Sequence, residues 1–291
     1  MNQVLVNAMV SAAGYLLVGI GFSLIYTTVR FFHFAHGMTL TLGAYTCFTL
    51  AVWVGLPLYA AFAGGIVAST LVGAGMECCV YRPLRQRQAS PAVLLLASLG
   101  LYVALQAAVS LAYGPGTRTF RAGAIPEALD FFGGRVTVPQ VALVITGALC
   151  CVVTWVLLRK TRLGAAIRAV ACDAELAEVN GINRDRVSLT VFLVGSFLAG
   201  IAAVLLTYDS DMTPAMGFRV LLMGMVAVIV GGIGNVPGIA LGAVLVGLSQ
   251  HLSAWWISSQ WQDALVFAIL IAFLLLRPQG FLGRPLKRQV T

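Results

Sequence analysis

The sequence predicts an all-α polytopic membrane protein with 8–10 transmembrane helices, of which one or two are broken or re-entrant. Three observations lead to this fold class: the composition, the long apolar stretches and the placement of the basic residues. Of the 291 residues, 60% are hydrophobic and only 10% are charged, whereas soluble domains carry about 25% charged residues. So little polar surface cannot coat a soluble globule. The apolar runs are continuous and lack the alternation of membrane β-barrels, which excludes a barrel.

Nine apolar stretches recur along the chain at lengths suited to a hydrocarbon layer about 30 Å thick. They lie near residues 8–29, 38–56, 58–80, 92–113, 138–158, 187–208, 217–231, 236–256 and 262–276. The stretches 38–56 and 217–231 are short and border Gly-rich or Pro-containing breaks, so either one can be the broken or re-entrant helix. No extension is large enough to fold alone, so we expect a single transmembrane domain over 1–291.

The lysines and arginines are concentrated in three segments of the chain. Three lie in 81–88, six lie in 159–186 and four lie in the tail that begins at Arg277. By the positive-inside rule, these segments, including the C-terminus, face the cytoplasm. Segment 114–137 and the turn with Asp209 and Asp211 then lie outside by alternation. The net charge of +8 is therefore interpreted as a topology signal and a contact with anionic lipid, and not as a nucleic-acid site.

Several chemical functions are disfavoured by missing motifs. The N-terminal MNQVLVNAMV lacks a basic residue and a small-residue cleavage site, so the first span is expected to stay as the insertion signal. The six cysteines form no CxxC pair, so we expect apolar packing roles and no metal site. The sequence has no Walker A pattern and no Ser/His/Asp or Cys/His set, so we expect no enzyme and no cofactor in this chain.

A glycine-rich segment is expected to break a helix near residue 235. The hinge residues are predicted to be Gly231, Gly232, Gly234, Pro237 and Gly238. Non-helical backbone at membrane depth is tolerated where it lines a cavity or is buried in protein. The alternative is tight helix packing alone, since the spacing of residues 238 and 242 lets two backbones approach closely. A short echo between residues 37–44 and 238–243 suggests an internal repeat.

The cytoplasmic loop 159–187, RKTRLGAAIRAVACDAELAEVNGINRDRV, predicts a short helix over residues 173–180. Asp173 can cap its first turn and Gly181 suits the position after its end, where φ is positive. Between them lie the helix-compatible residues Ala174, Glu175, Leu176, Ala177 and Glu178. One interpretation is a surface connector. The other is a docking element whose apolar face, with Leu176, Val179 and Ile182, enters a groove on a cytosolic partner.

Five blocks of the sequence together carry a family resemblance. They are GFSLIYTTVRFFHFAHGMTLTLGAY at 21–45, YRPLRQRQ at 81–88, TRLGAAIRAVACDAELAEVNGINRDRV at 161–187, MGFRVLLMGMVAVIVGGIGNVPGIALGAVLVGLSQ at 216–250 and LLLRPQGFLG at 274–283. In order and spacing, these blocks resemble the permease subunits of bacterial ABC importers of the branched-chain amino acid type. That family, the leucine/isoleucine/valine uptake permeases, also includes permeases for urea and short amides.

The resemblance implies a multi-pass protein of the bacterial inner membrane that works with other subunits. Relatives pair with a second homologous permease, two cytoplasmic ATPases that hold ATP and magnesium, and a periplasmic binding protein that would meet loops 114–137 and 209–217. Their loop helix that couples to the ATPase falls on Asp173 to Gly181 here. The chain departs from its relatives at Met38, where an acidic residue is common, and at His33, where Asn is usual. These departures leave amino acids and urea or amides both open as substrates.

Polar residues in and between the spans are candidates for lining the translocation path. They are His33, His36, Thr39, Thr41, Tyr45 and Gln106. Ionisable groups at membrane depth are costly and usually functional. The alternatives are histidines at the interface, threonines bonded to their own helix and a glutamine that joins two helices. Glu77 is expected to pair with Arg82 or Arg85. A stand-alone secondary transporter or channel is the alternative from another class, but the acidic residues lie in loops or near span ends.

Overall fold

The computed structural model describes residues 1–120, 128–131 and 133–283. Much of segment 114–137, including Arg121 and Glu127, and the basic residues of the tail from Arg284 do not belong to the described residues. Twelve α-helices occur in the described part: α1 (Asn2–Val29), α2 (His36–Phe48), α3 (Leu58–Met76), α4 (Arg82–Gln86), α5 (Pro91–Tyr113), α6 (Val138–Lys160), α7 (Arg162–Cys172), α8 (Ala174–Val179), α9 (Arg184–Asp209), α10 (Met216–Gly231), α11 (Val236–Trp256) and α12 (Gln262–Leu276).

Short irregular elements complete the chain. π-helical turns at Thr49–Trp53 and Glu77–Tyr81 continue α2 and α3, and a 3₁₀ turn at Ser259–Trp261 leads into α12. Strands β1 (Ala128–Phe131) and β2 (Gly134–Thr137) form an antiparallel hairpin in which residue 128 pairs with residue 137. The hairpin precedes α6 and is a small addition to a helical protein.

The nine apolar stretches predicted from the sequence all coincide with helices. Within the described residues, seven helices are long and apolar enough to cross a membrane: Asn2–Val29, Leu58–Gln86, Pro91–Tyr113, Val138–Lys160, Arg184–Asp209, Val236–Trp256 and Ser259–Leu276. The other two stretches are the short helix α2 with its π turn and the 16-residue helix α10. The all-α polytopic fold is therefore confirmed, and the two stretches predicted to be broken or re-entrant are the two that lie outside this set of seven.

The ends of several helices are set by capping residues, prolines and a residue with positive φ. Helix α6 begins with a capping box, in which the Thr137 side chain and Gln140 satisfy the first free N–H groups. Proline occupies the first turn of α5, α6 and α11, where its missing N–H costs nothing. Helix α1 ends at Arg30, which has the left-handed φ of 61°. These signals lie within a few residues of each end, and they explain why the boundaries were predictable.

The core consists of two units of three helices each, α1 to α3 and α9 to α11, which run in opposite directions. Val29 ends α1 and His36 begins α2, and the equivalent residues Asp209 and Met216 each lie 180 residues later in α9 and α10. Helix α1 packs on α11 as α9 packs on α3, and α2 packs on α3 as α10 packs on α11. Gln3, at the start of α1, bonds to the β2 backbone, and Asp209, at the end of α9, bonds to Thr137 at the end of β2. Helices α1 and α9 therefore run in opposite directions, and the two units form an inverted repeat.

The register of this repeat corrects the short echo seen in the sequence. The echo matched residue 37 with residue 238, but Gly37 lies in the first turn of α2 and Gly238 lies in the first turn of α11. The structural counterpart of Gly37 is Gly217, in the first turn of α10, and the two backbones touch. The matched residues were mostly small and apolar, and such matches recur by chance in membrane helices.

Candidate functional site

The chain is not helical between α1 and α2, although it is buried there. Residues 30–35 connect the two helices, and Phe31, His33 and Ala35 in this connector are all buried. The preceding Arg30 side chain donates to the carbonyl oxygen of Ala171 at the end of α7. Buried irregular backbone within a membrane fold has to be satisfied by protein groups. The connector is therefore the first of the two interruptions expected from the sequence.

A polar cluster holds this connector to α3 and α5. His33 Nδ1 lies 3.1 Å from the Tyr81 hydroxyl and 3.4 Å from Ser98 Oγ. The Ala35 N–H donates to the same Ser98 Oγ over 3.0 Å. The His33 ring also contacts the ring of Phe192 on α9, with 5.1 Å between centroids. His33 thus joins the connector to three helices, and its Nε2 is buried without a hydrogen-bond partner among the described residues.

His36 lies deep in the helix bundle. It is fully buried at the start of α2, and its Nε2 is 3.0 Å from where a Cβ would sit on Gly21. Gly21 is nine residues before Arg30, which is about 13 Å along α1. The two histidine rings lie 5.8 Å apart. His36 therefore lies well inside the bundle and not on its surface.

The other polar residues predicted to line the translocation path either contact groups near them or lie far from the two histidines. Thr39 donates to the His36 carbonyl over 2.7 Å, and Thr41 donates to the Gly37 carbonyl over 3.3 Å. Tyr45 is buried against the ring of Tyr113. Gln106 is partly exposed and lies eight residues beyond Ser98 on α5, about 12 Å away. The structure thus groups the residues of α2 with the histidines but separates Gln106 from them.

The second interruption lies where the glycine-rich segment predicted it. Helix α10 ends at Gly231 and α11 begins at Val236, and between them Gly232 has the left-handed φ of 108°. Gly234 also has a positive φ, and Pro237 and Gly238 occupy the first turn of α11. The predicted break in the helix is confirmed. Close packing also occurs there, because a Cβ on Gly242 would collide with the carbonyl oxygen of Ala227.

The C-terminal segment forms hydrogen bonds with the residues at this break. The sequence did not predict this contact. Phe281 donates its N–H to the Val230 carbonyl over 2.8 Å, and Leu282 donates to the Gly231 carbonyl over 3.1 Å. The side-chain amide of Asn235 donates to the Leu282 carbonyl over 2.6 Å. The two backbone bonds satisfy the carbonyl groups of Val230 and Gly231, which the end of α10 leaves free. The block LLLRPQGFLG therefore stabilises the backbone at the second interruption through hydrogen bonds.

The loop 159–187 contains the short helix that the sequence predicted. Asp173 caps α8 by accepting the Leu176 N–H over 3.0 Å, and Gly181 follows with a φ of 82°. Leu176 and Val179 are 60% and 85% exposed. Ile182, which was assigned to the same apolar face, instead packs partly buried against the core. The exposed apolar surface of α8 is thus smaller than predicted and consists of Leu176 and Val179.

Ion pairs connect this loop to the interior. Glu77 is fully buried and binds Arg85 at two points: Nη1 donates to Oε2 over 2.9 Å, and Nη2 donates to Oε1. Arg85 also lies 3.6 Å from Asp185, at the start of α9, and Asp185 accepts from Arg82 Nε over 2.9 Å. The pairing predicted for Glu77 is therefore with Arg85 and not with Arg82. Glu77 begins the π turn that ends at Tyr81, so the network ends one turn from the His33 cluster.

Comparison with known proteins matches nearly the whole chain. Residues 4–274 match the model of the family described as the branched-chain amino acid transport system permease component. The high-affinity branched-chain amino acid transport system permease protein LivH of Escherichia coli is 31% identical, with 97% of this chain and 96% of that protein covered. The corresponding protein BraD of Pseudomonas aeruginosa is 33% identical over the same shares.

A solved structure shares the fold. PsaBC from Streptococcus pneumoniae, in complex with a Fab, aligns with a TM-score of 0.55 at 12% identity, covering 96% of this chain and 92% of that one. At this identity the likeness concerns the fold alone. Within the described residues, no group of three or more His, Cys, Asp or Glu side chains could hold a metal ion. The family match, the near-complete relatives and the helical bundle agree, and the chain is a multi-pass membrane protein that belongs to the family of branched-chain amino acid transport permease components.

Proposed function

We propose that this chain is the permease subunit of an ATP-driven importer for branched-chain or similarly small amino acids in the bacterial inner membrane. The observation that carries the proposal is the match to this permease family over residues 4–274. The fold agrees with it, because two interrupted helices in an inverted repeat are typical of a transport path. Urea or short amides are the alternative cargo, but the names of the near-complete relatives favour amino acids.

The proposed complex contains several subunits. A second homologous permease would complete the path, two cytoplasmic ATPases would hold ATP and magnesium, and a periplasmic binding protein would deliver the substrate. This chain would be a non-catalytic domain over 1–291, with its C-terminus in the cytoplasm, and would carry no cofactor of its own. Loop 159–187 would be the coupling loop, and α8 would dock on an ATPase through Leu176 and Val179, which are exposed apolar groups on a cytoplasmic helix.

The ion pairs give this docking a physical route to the path. Movement of α8 would shift the loop to Asp185, which contacts Arg85. Arg85 holds Glu77, and the π turn from Glu77 leads to Tyr81, which contacts His33 in the first connector. A well-packed interior transmits such displacements because it resists compression. The route would let ATP binding outside this chain change the connector between α1 and α2.

The assembly is tested by purification with the products of adjacent genes. We expect the chain to purify with a second permease and an ATPase, and the reconstituted complex to take up radiolabelled leucine only when ATP and the binding protein are present. Uptake of urea in place of leucine would favour the alternative cargo. Purification of this chain alone as an active transporter would contradict the proposal.

Replacing Leu176 by aspartate is expected to abolish the ATP hydrolysis that the loaded binding protein stimulates. The charge would have to be buried in the docking groove, where an unpaired carboxylate is strongly disfavoured. Membrane insertion and yield should be unchanged, because Leu176 is 60% exposed in this chain. ATPase activity of the reconstituted complex is the measurement, and Gln88→Asp, on an exposed turn that is not part of α8, is the matched control. Equal stimulation in both variants would show that α8 is not the docking element.

A further inference from the structure

A polar network at the middle of the bundle is not explained by the features described so far. The Tyr15 hydroxyl donates to Gln250 Oε1 over 2.7 Å, and Gln250 Nε2 donates to Asp263 Oδ1 over 3.1 Å. Arg219 Nη2 lies 3.3 Å from both oxygens of Asp263. The network joins α1, α11, α12 and α10. Sequence analysis placed Asp263 near a span end and gave no role to Arg219.

The network lies at membrane depth. Tyr15 is near the middle of the 28-residue helix α1. Next to Arg219, the Phe218 ring contacts the ring of Tyr102 with 4.9 Å between centroids, and Tyr102 is near the middle of α5. Asp263 lies in the first turn of α12 and is linked through Gln250 to Tyr15, in the middle of α1. Asp263 is near the end of its own span, as the sequence indicated, yet it lies beside residues from the middle of other helices.

The charged end of the network is exposed on the surface of this chain. The Arg219 and Asp263 side chains are 65% and 39% exposed, whereas Gln250 behind them is buried. A charged pair at this depth is strongly disfavoured in contact with lipid tails. The face must therefore be turned to water or to another protein. The pair itself is loose, because a single nitrogen reaches both oxygens over 3.3 Å, in place of the two short parallel bonds of a bidentate pair.

Opposite charges side by side match a zwitterion. The carboxylate of an amino acid can bind the Arg219 guanidinium while its ammonium group binds Asp263, and the four charges stay balanced. Partly exposed apolar residues flank the pair at helical spacing: Leu222 lies three residues after Arg219, and Phe267 lies four residues after Asp263. They would face an apolar side chain of the ligand.

We propose that Arg219 and Asp263, with Gln250 holding the carboxylate of Asp263 in place, form a binding site for the zwitterionic head of an amino acid within the translocation path. The site rests on the proposed transport function and adds the groups that recognise its cargo. It also predicts that the face of α10 and α12 lines water in the assembled complex.

Thiol labelling tests the exposure of the site. In a variant whose six cysteines are replaced, Arg219→Cys and Asp263→Cys are each reconstituted with the partner subunits and treated with the impermeant cationic reagent MTSET. We expect labelling in at least one nucleotide state. Leu222→Cys, which flanks the charged pair and leaves it intact, should also be labelled and should be protected by leucine. Val103→Cys, an exposed apolar position next to Tyr102 on α5, is the depth-matched control and should stay unlabelled. Absence of labelling at both site positions would overturn the proposal, as would protection by urea but not by leucine.

Transport measurements test the recognition. We expect Arg219→Gln and the neutral double variant Arg219→Gln/Asp263→Asn to lower leucine uptake at least about tenfold, since a charge-assisted hydrogen bond is lost. Arg277→Gln, an exposed residue just beyond the end of α12, should transport normally. Normal uptake by the double variant would overturn the site, as would full rescue by the exchange Arg219→Asp/Asp263→Arg, which would indicate a structural pair. Failure of the wild-type complex to take up any amino acid would instead count against the transport function, while the labelling result would still report on the water-lined face.

Discussion

Replacing Arg85 by methionine is expected to destabilise the chain by about 3–5 kcal/mol, because it leaves a buried carboxylate without its cation. Glu77 is 1% exposed and Arg85 is 7% exposed, so water cannot take over the lost interaction. Methionine retains much of the volume of the arginine stem, so the loss reflects charge more than packing. The measurement is the midpoint temperature at which the detergent-solubilised complex loses its monodisperse elution profile. We also expect a lower yield in the membrane.

Two further variants separate charge from packing at this position. The double variant Glu77→Gln/Arg85→Met removes both charges and should recover most of the lost stability, since replacing a buried pair by uncharged groups is often neutral. Arg82→Met, three residues away, removes a 48% exposed arginine from its pair with Asp185 and should cost no more than about 1 kcal/mol. Equal losses for the single variants at 82 and 85 would contradict a buried ion pair.

The double variant also tests the proposed route from the coupling loop to the path. If the Glu77–Arg85 pair transmits movement, this variant should remain folded but couple poorly, with ATP hydrolysis less dependent on the loaded binding protein than in the wild-type complex. The contact between Asp185 and Arg85 is lost in it, while α8 and its exposed leucine are untouched. Wild-type dependence on the binding protein would show that the pair is structural only.

Replacing Gly217 by alanine is expected to be the second largest defect, near the upper end of the about 1–3 kcal/mol that overpacking costs. An added Cβ would collide with the Gly37 carbonyl oxygen and lie 2.5 Å from Thr41 Oγ1. The first obstacle is backbone, so relief requires the whole of α2 to move away from α10. Because α2 directly follows the connector that contains His33, the shift would also displace the His33 cluster.

The matched controls are Gly75→Ala and Gly100→Ala. Both glycines are helical, and an added Cβ on either would meet nothing within 4 Å. Alanine is a better helix former than glycine by about 1 kcal/mol, so these two variants should be as stable as the wild type or more stable. The thermal midpoint of each purified variant is the measurement. A Gly217→Ala protein with a raised midpoint would show that α2 and α10 are not in close contact.

The sequence by itself determined the features that depend on neighbouring residues. Apolar length located the helices of all nine apolar stretches, because a membrane span needs a continuous run of apolar side chains. Asp173 and Gly181 defined α8, since a helix cap and a positive φ are local properties. The break at Gly232 was predictable for the same reason. Family membership also followed from sequence, through five blocks of residues in a fixed order.

Only the tertiary structure decided which distant residues meet. His33 was a candidate, but its contact with Tyr81 and Ser98 depends on how α3 and α5 pack on the connector. The choice of Arg85 over Arg82 as partner of Glu77 depends on the path of the chain after α3. Asp263 lies near the end of its span, as predicted, but its pairing with Arg219 depends on how α12 packs on α10. Apolar periodicity states that a helix is embedded, but it does not fix the rotation, depth or neighbours of that helix, which are set by packing against the others.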